Sequence, residues 1–150
     1  MTEIAEKIEL ASSNFEVGLT RRTEERSIEE RKEIITGKNP SIIISIRAND
    51  NDEITLKAIV SSKAEETIKT KSQKLACLIL NKFAQNPNLK NFKIHTVNPV
   101  LKEPSEEEIL YNNKVSIILE LGNIENKEFF EKTGDIAFSI ISGIEDYYEK

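Results

Sequence analysis

A chain of 150 residues is long enough to build one substantial core without disulfides or metals as staples. Its formal net charge is −5, with 21 Lys and Arg mixed among 26 Asp and Glu, which excludes the clustered basic surface that nucleic acid requires. The single cysteine, Cys77, excludes an intrachain disulfide and, among Leu75, Ala76, Leu78 and Ile79, is expected to be a small core hydrophobe. No stretch approaches the length of a membrane span, and the first residues lack the apolar core of a secretion signal, so as written the chain is expected to stay where it is made.

Ile4, Ala5, Ile8, Leu10 and Ala11 recur at helical spacing, so the chain opens in an amphipathic helix. Ser12 to Asn14 break it, and Phe15 to Thr20 then alternate like a half-buried strand that ends at Arg21 and Arg22. Ser27 and Glu30 form a capping box ahead of a short helix through Ile28, Ile34 and Ile35, which Gly37 is expected to stop before Asn39 and Pro40. Ser41 to Ile46 is dense in β-branched residues and reads as a strand, ending in Arg47-Ala48-Asn49 and a polar surface loop. Ile54 to Val60 alternates more loosely and is expected nearer the sheet edge. Ile68, Leu75, Ala76, Leu78, Ile79, Leu80 and Phe83 make the apolar face of the longest internal helix, which Asn86-Pro87-Asn88 ends. Phe92 to Val97 is a further short strand; Pro99 and Pro104 bound an irregular connection to a second capping box, Ser105 to Glu108, and a short helix through Leu110.

Val115 to Leu119 is apolar throughout, as a strand buried on both faces would be, and Glu120 sits at its carboxyl end. Ligands of open α/β sheets bind outside such strand ends, so Glu120 is placed for chemistry; a Glu that only receives hydrogen bonds from the following loop fits the position equally well. Gly122 is expected to turn the chain before Asn126 caps the last helical region. Phe129 and Phe130 start that region, Gly134 is a point of interruption, and Ile136, Ala137, Ile140, Ile141, Ile144 and Tyr148 form its buried face. Strands and helices alternate without repeat or linker. The expectation is one α/β domain over 1–150, three-layer α/β/α with a mostly parallel sheet of about five strands.

Four segments, Val17-Gly18-Leu19-Thr20-Arg21, Ser27 to Arg31, Ser45-Ile46-Arg47-Ala48-Asn49 and Glu120-Leu121-Gly122-Asn123-Ile124-Glu125-Asn126, stand in the order of four motifs of one family. They resemble the Leu-Thr-Arg strand, the Leu-x-x-Arg helix, the Ser-Ile-His-Ala-Asn segment and the Glu-x-Gly-(Phe or Asn)-x-x-Asn motif of the zinc-dependent N-acetylmuramoyl-L-alanine amidases, which cut peptidoglycan between the sugar and its stem peptide. The resemblance implies that Glu120 is at the catalytic Glu position and Arg47 at a zinc-His position, with Asn49, Asn123 and Asn126 in the cleft. It implies zinc in the family, but Arg47 has no lone pair for a metal. The first strand, with its Asp-x-Gly-His-Gly-Gly ligand motif, and the ligand Glu of the next helix have no match here. The chain would then be an amidase-like domain without the family's first strand, leaving a gap to be left open, re-paired, or covered by another chain. His95, the one histidine, matches no ligand position and is expected to be an ordinary hydrogen-bonded residue.

No cofactor is therefore expected in this chain. The function expected is an amidase-like domain of peptidoglycan turnover without zinc hydrolysis. The alternatives are a fragment or divergent member of an active zinc amidase, and a structural or protein-binding module on that fold. Peptidoglycan or a cell-wall protein is the implied partner, and the cell envelope, periplasmic or extracellular, the implied location. Arg47 is expected either to face Glu120 across one crevice or to bend outward among Asp50, Asp52 and Glu53.

Overall fold

The computed structural model describes residues 2–11, 16–19, 26–49, 55–94, 98–123 and 125–149. In chain order these form α1 (Thr2–Ala11), α2 (Ile28–Lys38), β1 (Ile43–Asn49), β2 (Thr55–Ser61), α3 (Glu66–Gln85), a single 3-10 turn at Pro87–Leu89, β3 (Lys93–Ile94), β4 (Val100–Lys102), β5 (Ser116–Gly122), α4 (Lys127–Glu131) and α5 (Thr133–Glu149). The five strands make one mixed sheet, ordered β1-β5-β2-β3, with β4 pairing β2 farther along. β1 runs parallel to β5, and β3 and β4 run parallel to β2; the two blocks meet at an antiparallel seam between β5 and β2.

Alternation along the strands sends one set of side chains to each face. Leu56, Ala58, Val60, Ile117, Leu119 and Leu121 point toward α1, α3 and α5 and form the main core with Ile4, Ile8, Leu75, Ile79 and Ile140. On the other face the cover is α2 and the segment 105–115: Ile35 and Ile109 close over Ile43, and Leu110 closes over Ile59 and Ile118. The three layers are thus unequal. The face under α2 has a small core and leaves room at the carboxyl ends of β1 and β5.

Several local expectations need correction. Residues 16–19 belong to no strand, while Phe15 and Thr20 to Arg22 lie outside the described residues. β2 is not near an edge: it is flanked by β5 on one side and β3 and β4 on the other, and its weak alternation reflects burial on both faces. The Ser27–Glu30 capping box is present, both halves formed at 3.1 and 3.2 Å. The helix, however, ends at Asn39, not Gly37: Asn39 adopts φ 45°, and its N–H donates to the Ile35 carbonyl at 2.9 Å. Asn tolerates the left-handed region well enough to take the position. Ser105 to Glu108 starts no helix; it is a turn in which the Glu108 carboxylate accepts from the Ser105 N–H. Leu10 is 85% exposed, because at about 100° per residue it lies roughly 200° round from Ile8. In α5 the face that carries Ile140 and Ile144 continues to Tyr147, not to Tyr148, which is half exposed. The helical break falls at Lys132, and Gly134 sits in the first turn of α5.

The closest helix contact is between α3 and α5. A Cβ at Gly143 would stand 2.5 Å from Ile79 Cγ1 and 2.7 Å from its Cα, so glycine sets how near the two backbones come. Gly143→Ala is expected to lower stability by about 1–3 kcal/mol in chemical denaturation, although alanine favours the helix by roughly 1 kcal/mol in the absence of a clash. A stabilised Gly143→Ala protein would show the helices to be farther apart.

Candidate functional site

The strand register assembles the site. Arg47 of β1 stands opposite Glu120 of β5, and Glu120 stands opposite Lys57 of β2, so three charged side chains form one row across adjacent strands on the α2 face. Arg47 Nε donates to Glu120 Oε2 at 2.9 Å, and Lys57 Nζ lies 3.3 Å from Glu120 Oε1. A second carboxylate comes from the loop above. Arg47 Nη1 donates to Glu108 Oε2; Lys102 Nζ, at the end of β4, donates to the same oxygen at 2.7 Å. The Ser105 N–H donates to Glu108 Oε1 at 3.0 Å.

Apolar contacts bring Glu108 there. Ile109 and Leu110, the next two residues, are buried against α2 and the sheet, and this fixes the segment over the row. The Tyr111 N–H donates to Ser116 Oγ at 2.8 Å, and the Ser61 hydroxyl bonds Asn112 Oδ1, fastening the segment to β5 and β2. The result is an alternating chain of charges, Lys57, Glu120, Arg47, Glu108 and Lys102, in which three cations face two carboxylates.

Burial gives these pairs weight. The side chains of Glu108 and Glu120 are 7% and 12% exposed, while Arg47 and Lys57 are one-third exposed. Burial alone would raise the Glu108 pKa, but hydrogen bonds from Lys102, the Ser105 N–H and Arg47, with the charge of Lys102, outweigh it and hold the carboxyl at about 2. Burial also works against the Arg47 charge, and the bonds and charges of Glu108 and Glu120 more than reverse it, raising the guanidinium pKa further above its ordinary value. Both carboxylates are therefore ionised acceptors at neutral pH, each held by two cations.

Among the residues expected at the site, Arg47 and Glu120 meet in direct contact. Asp50, Asp52, Glu53 and His95 lie outside the described residues. Asn49 is paired with Gly122 in the β1–β5 register. The sharp turn after β5 is made by Asn123, at φ 53°, and not by Gly122, which is the last strand residue and has no positive φ. Asn126 caps α4: its Oδ1 accepts from the Glu128 N–H at 2.8 Å. Glu108, Lys57 and Lys102 were not anticipated as site residues. Lys57 carried a signal, a lone cation on the same strand face as Ile59; Glu108 was read only as a cap residue.

The residues present do not fit the zinc that the family resemblance implies. Zinc takes three or four donors from His, Cys, Asp and Glu, whereas here a guanidinium with no lone pair stands between the two carboxylates. Among the described residues no group of three or more potential ligands is close enough to hold a metal ion.

Two outcomes follow from this geometry. Because folding depresses the Glu108 pKa, its stabilisation is complete above about pH 4.5, where a glutamate of the unfolded chain is ionised, and is lost as the pH falls toward 2. Wild type should exceed Glu108→Gln by on the order of 2–3 kcal/mol at pH 7, the gap narrowing through that window in urea titrations. A gap independent of pH would mean that Glu108 acts through shape alone. Secondly, Arg47→Ala and Glu120→Ala should each cost about 1–3 kcal/mol, and the double variant less than their sum by roughly 1 kcal/mol; strict additivity would refute the coupling.

Comparison with known proteins agrees with the fold. No curated protein sequence matches the chain. The catalytic domain of CwlV, an N-acetylmuramoyl-L-alanine amidase from Bacillus (Paenibacillus) polymyxa var. colistinus, superposes with a TM-score of 0.69 at 16% identity, over 99% of this chain and 82% of that one. AmiC2 of Nostoc punctiforme, also an N-acetylmuramoyl-L-alanine amidase, gives 0.72 at 20% identity over 99% and 82%. The CwlD amidase of Clostridioides difficile, solved in complex with the GerS lipoprotein, gives 0.71 at 20% over 99% and 85%. At these identities the likeness establishes the three-layer fold. The family model described as N-acetylmuramoyl-L-alanine amidase matches residues 1–145, and on that match the chain belongs to the N-acetylmuramoyl-L-alanine amidase family.

Proposed function

We propose that this chain is a non-hydrolytic member of its family, an amidase-like domain of the cell envelope, periplasmic or extracellular, that associates with peptidoglycan or a cell-wall protein without cutting the muramoyl–alanine bond. The observation that carries the reading is the Arg47–Glu120 pair. The family's activity depends on a metal that polarises the scissile carbonyl and supplies hydroxide at neutral pH. In this chain the residue at the catalytic Glu position is bonded to Arg47 and Lys57, so its lone pairs are directed at fixed cations. A carboxylate so engaged is a poor base, because accepting a proton would break both pairs.

The same crevice suits recognition. Its cations exceed its carboxylates by one, and it lies at the strand ends where α/β sheets bind ligands, which supports an anionic or carboxylate-bearing partner such as a stem peptide.

The test joins three measurements on the purified protein: metal analysis after zinc loading and dialysis, release of stem peptide from purified sacculi, and co-sedimentation with those sacculi. The expected outcome is well under one zinc per chain, no release, and co-sedimentation that weakens in high salt. Stoichiometric zinc with peptide release would overturn the proposal. No metal, no release and no co-sedimentation would leave a cell-wall protein as the partner.

A further inference from the structure

One edge of the sheet is open. β1 pairs with β5, and among the described residues no strand pairs with its other side. In a parallel ladder alternate residues turn their N–H and C=O groups to opposite sides. The Ile43 N–H donates to the Val115 carbonyl at 2.9 Å, so the main-chain groups of Ile44 and Ile46 face away from β5. On that side a groove of about 560 Å³ runs along residues 42–46, and residues 16–19, which belong to no helix or strand, line it as well.

The walls specify what the groove accepts. Ile8, Ile140 and Ile144 line it on the side of α1 and α5, and Ile34, Ile35 and Ile109 on the side of α2. An occupant must therefore be apolar on both of its faces. It must also offer hydrogen-bonding groups at the strand repeat, since main-chain groups left unpaired in apolar surroundings cost about 1–3 kcal/mol each. Only extended polypeptide meets both conditions. An edge strand already embedded in a folded domain carries covering helices or loops on its own faces, and α1, α5 and α2 leave no room for these. This argues against a second copy of this chain presenting its own β1.

We propose that the groove takes a β-strand from another polypeptide, a flexible run of about five branched apolar residues that pairs with the open edge of β1. The strand buries its side chains alternately against α1 and α5 and against α2, and completes the ladder of Ile44 and Ile46. This binding site is separate from the charged crevice and does not depend on the function assigned there.

The test uses a synthetic peptide of alternating valine and isoleucine, five residues long and flanked by lysines for solubility, with an analogue N-methylated at alternate residues. The analogue keeps every side chain and loses half of the ladder. The peptide is expected to slow amide exchange of Ile44 and Ile46 at least about tenfold, and the analogue to bind about tenfold more weakly. Ala5→Trp, which fills the groove from α1, is expected to weaken the peptide by a similar factor; should that variant fail to fold, the comparison of the two peptides on the wild type still decides. Equal affinity of peptide and analogue would overturn strand addition. So would Ile44 and Ile46 amides protected without peptide as well as those of Ile43 and Ser45, whether sedimentation shows a monomer, closed on itself, or a dimer.

Discussion

The arrangement at the carboxyl end of the sheet depends on a single guanidinium held between two carboxylates. Glu120 is fixed by the strand register and Glu108 by the burial of Ile109 and Leu110, so neither acid is free to move away from the other. Two nearly buried like charges would repel strongly in a medium of low dielectric. Arg47 removes that repulsion because its fork reaches both acids, Nε to one and Nη1 to the other. Lysine, with a single nitrogen, could not span them in the same way. The docking of the segment 105–115 over the sheet is therefore an electrostatic consequence of β1 as much as an apolar one.

This constraint links architecture to the function proposed. A site that acts on substrate must keep lone pairs or open coordination positions for it, whereas here the polar capacity of the crevice is largely spent within the protein. Lys57 and Lys102 extend the pairing outward, and both are more exposed than the acids they hold. Exposed cations over buried anions give a surface that attracts anionic groups while its interior stays closed to chemistry.

Much of this could be read in the sequence where the determinants are local. The Ser27–Glu30 box, the isoleucine strand and the Asn126 cap are encoded within a few residues of where they act. Arg47 and Glu120 could be matched because both end strands whose apolar runs align. What could not be read depends on register across distant segments. Lys57 meets Glu120 through an antiparallel seam that the alternating order of elements does not announce, and Glu108 meets Arg47 through a loop that returns over the sheet. Residues 16–19 carry strand-forming side chains, but a strand needs a partner, and among the described residues none stands beside them. Leu10 and Tyr148 have helical spacing but no neighbour to cover them, and spacing says nothing of where a neighbour ends.

The place of β5 in the strand order bears on how the protein is made. β1 and β2 are neighbours in sequence but never touch as strands; each pairs with β5, which the ribosome delivers much later. Arg47 and Glu120 are 73 residues apart, so at 5–20 residues per second roughly 4–15 s of synthesis separates them. Throughout that time the apolar run Ser41 to Ile46 has no strand to pair with, and it is a segment of the composition that self-associates. The keystone strand arrives last, so the chain spends its synthesis with its most adhesive edge uncovered. Yield in the cell is thus governed by translation rate and by chaperones that shield isoleucine-rich strands, more than by the stability of the finished fold.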